Sequence, residues 1–136
     1  MQSRLAHIQL NVQPANLPFY RELMAFLGWQ TIYSDDQTLA VAGKNKESFW
    51  FIGQVKGVAN DYDGPGVNHL GIGTETQADV DAIVTYLTQR GIAPLFETPR
   101  HRPEFAAGED QTYYQVMFET PDRILLEVVY TGPKSA

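Results

Sequence analysis

The apolar positions change period several times along the chain, and the changes come in the same order twice. Alternating residues in Leu5-Ala6-His7-Ile8-Gln9-Leu10 read as a half-buried strand. Phe19, Leu23, Phe26 and Leu27 then recur at helical spacing, with Asn16 and Pro18 as start signals and Gly28 as the stop. Gln30–Tyr33, Thr38–Ala42 and Ser48–Ile52 return to strand composition, separated by Asp, Asn and Gly. The second pass opens with Val67-Asn68-His69-Leu70-Gly71-Ile72 and continues into a helix carrying Val80, Ile83, Val84 and Leu87, with Thr76 as its cap and Gly91 as its end. Ala93–Glu97, Tyr113–Glu119 and Ile124–Tyr130 complete it as strands. The opening histidines lie 62 positions apart and the closing glycines 63, so the register holds to within one residue.

A repeat of this kind predicts an α+β fold built from two tandem βαβββ units, 4–54 and 67–131, within a single domain spanning 1–136. Residues 55–66 form the linker, where Gly57, Asn60, Asp61, Asp63, Gly64, Pro65 and Gly66 suit neither strand nor helix. A chain of 136 residues, 43% hydrophobic, is enough for a core. The sheet faces that one helix per unit leaves uncovered are expected to pair between subunits, which predicts a homodimer.

Composition narrows the function classes. No apolar run is long enough for a membrane span, and Gln2, Ser3 and Arg4 at the start do not resemble a secretion signal, so a cytoplasmic protein is expected. Without cysteine, disulfides and thiolate metal ligands are excluded. A net charge of −6 with ten scattered basic residues argues against a nucleic-acid partner.

Candidate chemistry rests on His7 and His69, which occupy matching points of the two units, and on Glu127, a carboxylate inside the apolar strand Ile124-Leu125-Leu126-Glu127-Val128-Val129-Tyr130. A charge in such a strand is not buried without a partner. Two imidazoles and one carboxylate make a facial set that holds a divalent metal and leaves coordination positions open. The metal is one of Fe, Mn, Ni, Zn or Co, and these ligands do not choose among them. A lone strand histidine is more often a hydrogen-bonded core residue than a ligand. The matched placement, together with Glu127, makes metal binding the stronger reading. The first-unit counterpart of Glu127 falls at Trp50 or Phe51, neither of which coordinates, so three protein ligands are expected. Arg100, His101 and Arg102 lie in the connection Thr98–Asp110, where a basic lid would suit a substrate carrying a carboxylate or phosphate, although a solvated loop fits equally. Either Tyr113 or Tyr114 would act as a phenol donor, since neighbours in a strand face opposite ways. Trp50 would add an aromatic wall to the substrate site, or simply pack in the core.

The segments LAHIQLNV, PFYRELMAFLGW, VNHLGIG and FETPDRILLEVV resemble those of the vicinal oxygen chelate superfamily, which includes glyoxalase, bleomycin-resistance and ring-cleaving dioxygenase proteins. The likeness runs from Leu5 to Tyr130. In the closing segment Thr120 and Arg123 stand where the family pattern has Asp and Gly. The resemblance implies curved mixed sheets enclosing a metal-site cup, completed in a homodimer, with ligands at His7, His69 and Glu127. It implies an enzyme, a lyase, dioxygenase or thiol transferase, that chelates two adjacent oxygens of a small substrate. Glyoxalase I-type lyases carry a fourth ligand, and its absence here counts against that activity. The alternative is a metal-free binder of the bleomycin-resistance type that sequesters a small molecule. Such binders usually lack the complete ligand set.

Overall fold

Strand β1 (His7–Asn11) opens the first of two units, Met1–Ala59, in a computed structural model that describes residues 1–134. A single turn of 3-10 helix at Pro14–Asn16 leads into α1 (Leu17–Phe26), and β2 (Gln30–Ser34), β3 (Thr38–Ala42) and β4 (Ser48–Ile52) follow. The sheet order is β1-β4-β3-β2, with β1 parallel to β4 and the other neighbours antiparallel. Gly28, at φ 84, takes the left-handed conformation that closes the helix and turns the chain into β2.

Helix α1 buries Leu17, Tyr20, Leu23 and Met24, not the face expected from Phe19, Leu23, Phe26 and Leu27; Phe26 is 49% exposed. The difference arises because Tyr20, Leu23 and Met24 form an equally regular stripe, and the Tyr20 ring stacks on Phe51 at 4.6 Å. An offset aromatic pair adds about 0.5–1.5 kcal/mol to the area it buries. On the sheet, Leu39, Val41, Phe49 and Phe51 are buried, while His7, Gln9 and Trp50 share the opposite face.

The second unit starts at Asn60 and holds β5 (Leu70–Thr74), α2 (Gln77–Gln89), β6 (Leu95–His101), β7 (Gln111–Glu119) and β8 (Leu125–Pro133). Its order, β5-β8-β7-β6, repeats that of the first unit, again with one parallel pair, β5 with β8. The fold is therefore α+β with two four-stranded mixed sheets. Thr76 caps α2 in a capping box: its hydroxyl accepts from the Asp79 N–H, and the Asp79 carboxylate accepts from the Thr76 N–H. Val80, Ile83 and Leu87 of α2 are buried with Ile72, Val116, Phe118, Leu126 and Val128. Strand alternation places Tyr113, Gln115, Met117, Leu125 and Glu127 on the other face.

Several boundaries differ from expectation: β7 begins at Gln111 rather than Tyr113, and β8 runs from Leu125 to Pro133 rather than from Ile124 to Tyr130. Strand β6 runs on through Thr98, Pro99 and Arg100 to His101, with Arg100 opposite Gln115 and His101 opposite Tyr114, so the irregular connection begins only at Arg102. The linker also contributes to the second unit, because Tyr62 packs with Met117, Leu125 and Leu95. At the β7–β8 turn, the Thr120 hydroxyl accepts the N–H groups of Asp122 and Ile124, and Arg123 takes a left-handed φ of 56. No helix among the described residues is long and apolar enough to cross a membrane.

Candidate functional site

The parallel pairing of β5 with β8 sets Glu127 opposite Gly71. A Cβ at position 71 would lie 3.7 Å from Glu127 Oε2, an ordinary van der Waals contact. Glu127 is 3% exposed, a burial that a carboxylate tolerates only with partners. Its Oε1 accepts from the Tyr113 hydroxyl at 2.5 Å and from Gln115 Nε2 at 2.8 Å. Its Oε2 faces His69 Nε2 at 2.9 Å.

The state of His69 follows from its other neighbours. Asn68 donates through Nδ2 to the Tyr62 carbonyl at 2.8 Å, which directs its Oδ1 at His69 Nδ1, 2.7 Å away. An amide oxygen only accepts, so Nδ1 carries a proton and donates. In the neutral ring Nε2 then holds a lone pair, aimed at a carboxylate oxygen that also only accepts. Two acceptors at 2.9 Å require something positive between them, either a proton on Nε2 or a cation. A metal held there would draw on both lone pairs, that of His69 Nε2 and that of Glu127 Oε2. The donor set fits a divalent metal, with His69 oriented through Nδ1 as metal-bound imidazoles commonly are.

The remaining expected residues divide by strand parity. Tyr113 is on the Glu127 face, and burial first, then the bond to Glu127, pushes its phenol up to about 12. It remains a donor across the neutral range. Tyr114 points the other way, where its hydroxyl donates to Asp81 of α2 at 2.8 Å and burial, then Asp81, raises it to about 12. His101 shares that side and bonds Thr112 Oγ1 at 2.6 Å through Nδ1. Arg100 is opposite Gln115 on the Glu127 face and pairs with Glu97 at 3.1 Å. Phe105, 62% exposed, meets the Tyr113 ring edge-on at 5.4 Å. Arg102 is held by Gln115, to which its Nε donates at 2.8 Å.

In the first unit, Gln9 is opposite Trp50 just as Gly71 is opposite Glu127, so Trp50 is the counterpart of the carboxylate. Trp50 Nε1 donates to Ser48 Oγ at 3.2 Å, and Ser48 pairs with His7. Among the described residues no three His, Cys, Asp or Glu side chains gather as a metal cluster. Asn68 and Gln115 are site residues that the sequence reading missed. The signals for them were present: Asn68 adjoins His69, and Gln115 interrupts an apolar strand at the same parity as Tyr113.

Comparison with known proteins agrees with this architecture. No family model matches the chain. An uncharacterized Bacillus subtilis protein, YqjT, is 39% identical over 64 residues, a match covering 47% of this chain and 46% of the relative, less than half the length of each. A glyoxalase-like protein of Bacillus halodurans superposes with a TM-score of 0.77 at 25% identity, over 95% of this chain and 96% of that one. A glyoxylase/bleomycin resistance protein/dioxygenase domain from Frankia sp. EAN1pec gives 0.66 at 20% identity, over 97% and 94%.

Proposed function

We propose that this chain, whose fold is that of the vicinal oxygen chelate superfamily, is a metal-dependent enzyme that chelates two adjacent oxygens of a small substrate. The observation that carries the reading is the facing pair His69 Nε2 and Glu127 Oε2, two acceptor atoms that a divalent cation would reconcile. His69 and Glu127 are the proposed ligands of the second unit, and His7, at the matching position of the first, is the proposed ligand of that unit. Such a metal would act as a Lewis acid on developing negative charge in the substrate.

The other groups hold and orient. Tyr113 and Gln115 both bind Glu127 Oε1, which leaves Oε2 as the ligating atom. Asn68 keeps the His69 proton on Nδ1. Arg100 and Trp50 are the proposed substrate contacts, with Arg100 the group suited to a carboxylate or phosphate. Tyr114 and His101 are on the α2 side of their sheet and take no part.

Cobalt(II) titration of chelator-treated protein, followed by visible absorption, tests the reading. Saturation near one equivalent, weakened in His7→Ala, His69→Ala and Glu127→Gln while each variant keeps its circular dichroism, is expected. A native chain that develops no cobalt spectrum would remove the metal-dependent activity.

A further inference from the structure

Glu127 Oε1 depends on the correct end of a carboxamide. Gln115 is 4% exposed, and its amide has a donating and an accepting end of nearly equal shape. Turned one way it donates to Glu127. Turned the other way it sets a carbonyl oxygen against a carboxylate, an arrangement with no hydrogen and a repulsive charge. Something must fix the orientation, and the residue that touches the far end is Arg102.

Every nitrogen of the Arg102 guanidinium faces an oxygen of this unit. Its Nε donates to Gln115 Oε1 at 2.8 Å, its Nη2 to the Phe96 carbonyl at 3.4 Å, and its Nη1 lies 3.7 Å from Glu104 Oε1. Guanidinium carries only donors, so it can meet Gln115 at the oxygen end alone. The backbone is shaped to receive it. Phe96 and Glu97 both hold left-handed conformations, φ 56 and 58, in the bulge between Leu95 and Arg100, and the Phe96 carbonyl is one of the oxygens accepting from Arg102. Two consecutive non-glycine residues at positive φ persist only where surrounding contacts hold them.

We propose that Arg102 is a positioning residue which, by pinning the Gln115 carboxamide, holds Glu127 in its ligating orientation, and that it does not bind substrate. Its role as a metal-site support rests on the metal-dependent reading above, but the pinning of Gln115 does not. Removing such an outer partner typically costs 10–100-fold in metal affinity. Arg102 and Gln115 act in series, so their losses do not add.

The full-length chain labelled with ¹⁵N tests both parts. The Gln115 side-chain amide pair, identified by its disappearance in Gln115→Met, is followed in Arg102→Met and Arg102→Lys, and cobalt(II) affinity is measured in parallel. The expected result is a displaced amide pair in Arg102→Met, partly restored by Arg102→Lys. Cobalt affinity should fall about 10–100-fold in Arg102→Met, and no further in the double variant than in Gln115→Met alone. An amide pair unmoved by Arg102→Met, or losses that add, would overturn the proposal. If the native chain binds no cobalt, the metal reading fails, and the amide signal alone still decides whether Arg102 pins Gln115.

Discussion

Glu127→Gln separates a carboxylate needed for folding from one poised for a ligand. The replacement has the same shape, and its carbonyl oxygen can take the place of Oε1, keeping the donors Tyr113 and Gln115 satisfied. Its NH₂ then stands where Oε2 stood, 2.9 Å from His69 Nε2, and donates to the lone pair that Asn68 leaves there. Every hydrogen bond survives and one buried charge disappears. The metal-free variant should therefore be within about 1 kcal/mol of the native chain, since no buried donor or acceptor is left unsatisfied. Glu127→Ala is the contrast. It strands the Tyr113 hydroxyl and the Gln115 amide, at about 1–3 kcal/mol for each unsatisfied donor, so a loss of about 2–6 kcal/mol is expected. Urea unfolding of chelator-treated proteins measures both. Cobalt affinity should nevertheless collapse in Glu127→Gln by more than the 10–100-fold typical of an outer-shell change, because an amide nitrogen is no ligand. Metal-free Glu127→Gln as unstable as Glu127→Ala would refute the reasoning and make the charge itself structural.

Three further outcomes follow from the same contacts. Tyr114 is held at about 12 by burial and then by Asp81, above its unfolded value near 10, so its contribution to stability is complete below pH 10 and is lost as pH rises through 12. Phenolate absorbance should show a phase near pH 12 that shrinks in Tyr114→Phe, and an unchanged curve would contradict the Asp81 contact. Thr76→Ala removes the acceptor for the Asp79 N–H and should cost about 1 kcal/mol by urea unfolding, whereas Thr76→Ser should not. Arg123→Gly relieves a left-handed residue worth about 1–2 kcal/mol, offset by up to about 1 kcal/mol of glycine's unfolded-state entropy, for a small net stabilisation. A clear loss in urea midpoint would mean that the Arg123 guanidinium over the Tyr62 ring outweighs the strain.

The elements most legible in the sequence were those in which period and punctuation agreed. Thr38–Ala42 and Ser48–Ile52 are observed with the expected bounds, because apolar runs of strand length are set off there by Asp, Gly, Lys and Asn. Helix α1 had the right extent and the wrong face, since hydropathy ranks Phe26 with Leu23 and cannot register that Tyr20 has a ring partner in Phe51. Strand β6 was cut short at Glu97 because Pro99 reads as a breaker. It lies at the sheet edge, where a missing N–H costs no ladder bond. In the site, His69 and Glu127 stood out as polar residues in apolar strands. Gln115 and Asn68 did not, because their importance comes from which end of an amide is already taken, and that depends on Arg102 and on the Tyr62 carbonyl. Thr120 and Arg123 looked like departures from the family turn. The structure shows a threonine hydroxyl accepting two N–H groups and an arginine adopting the left-handed φ that glycine would occupy freely.

A cation between His69 and Glu127 is the feature on which the proposed activity depends, and elemental analysis of the untagged chain, purified without chelator, tests for it directly. Close to one equivalent of Fe, Mn, Ni, Zn or Co per chain is expected, lost in both His69→Ala and Glu127→Gln. Native protein carrying no metal even after reconstitution, or variants that retain a full equivalent, would contradict that expectation.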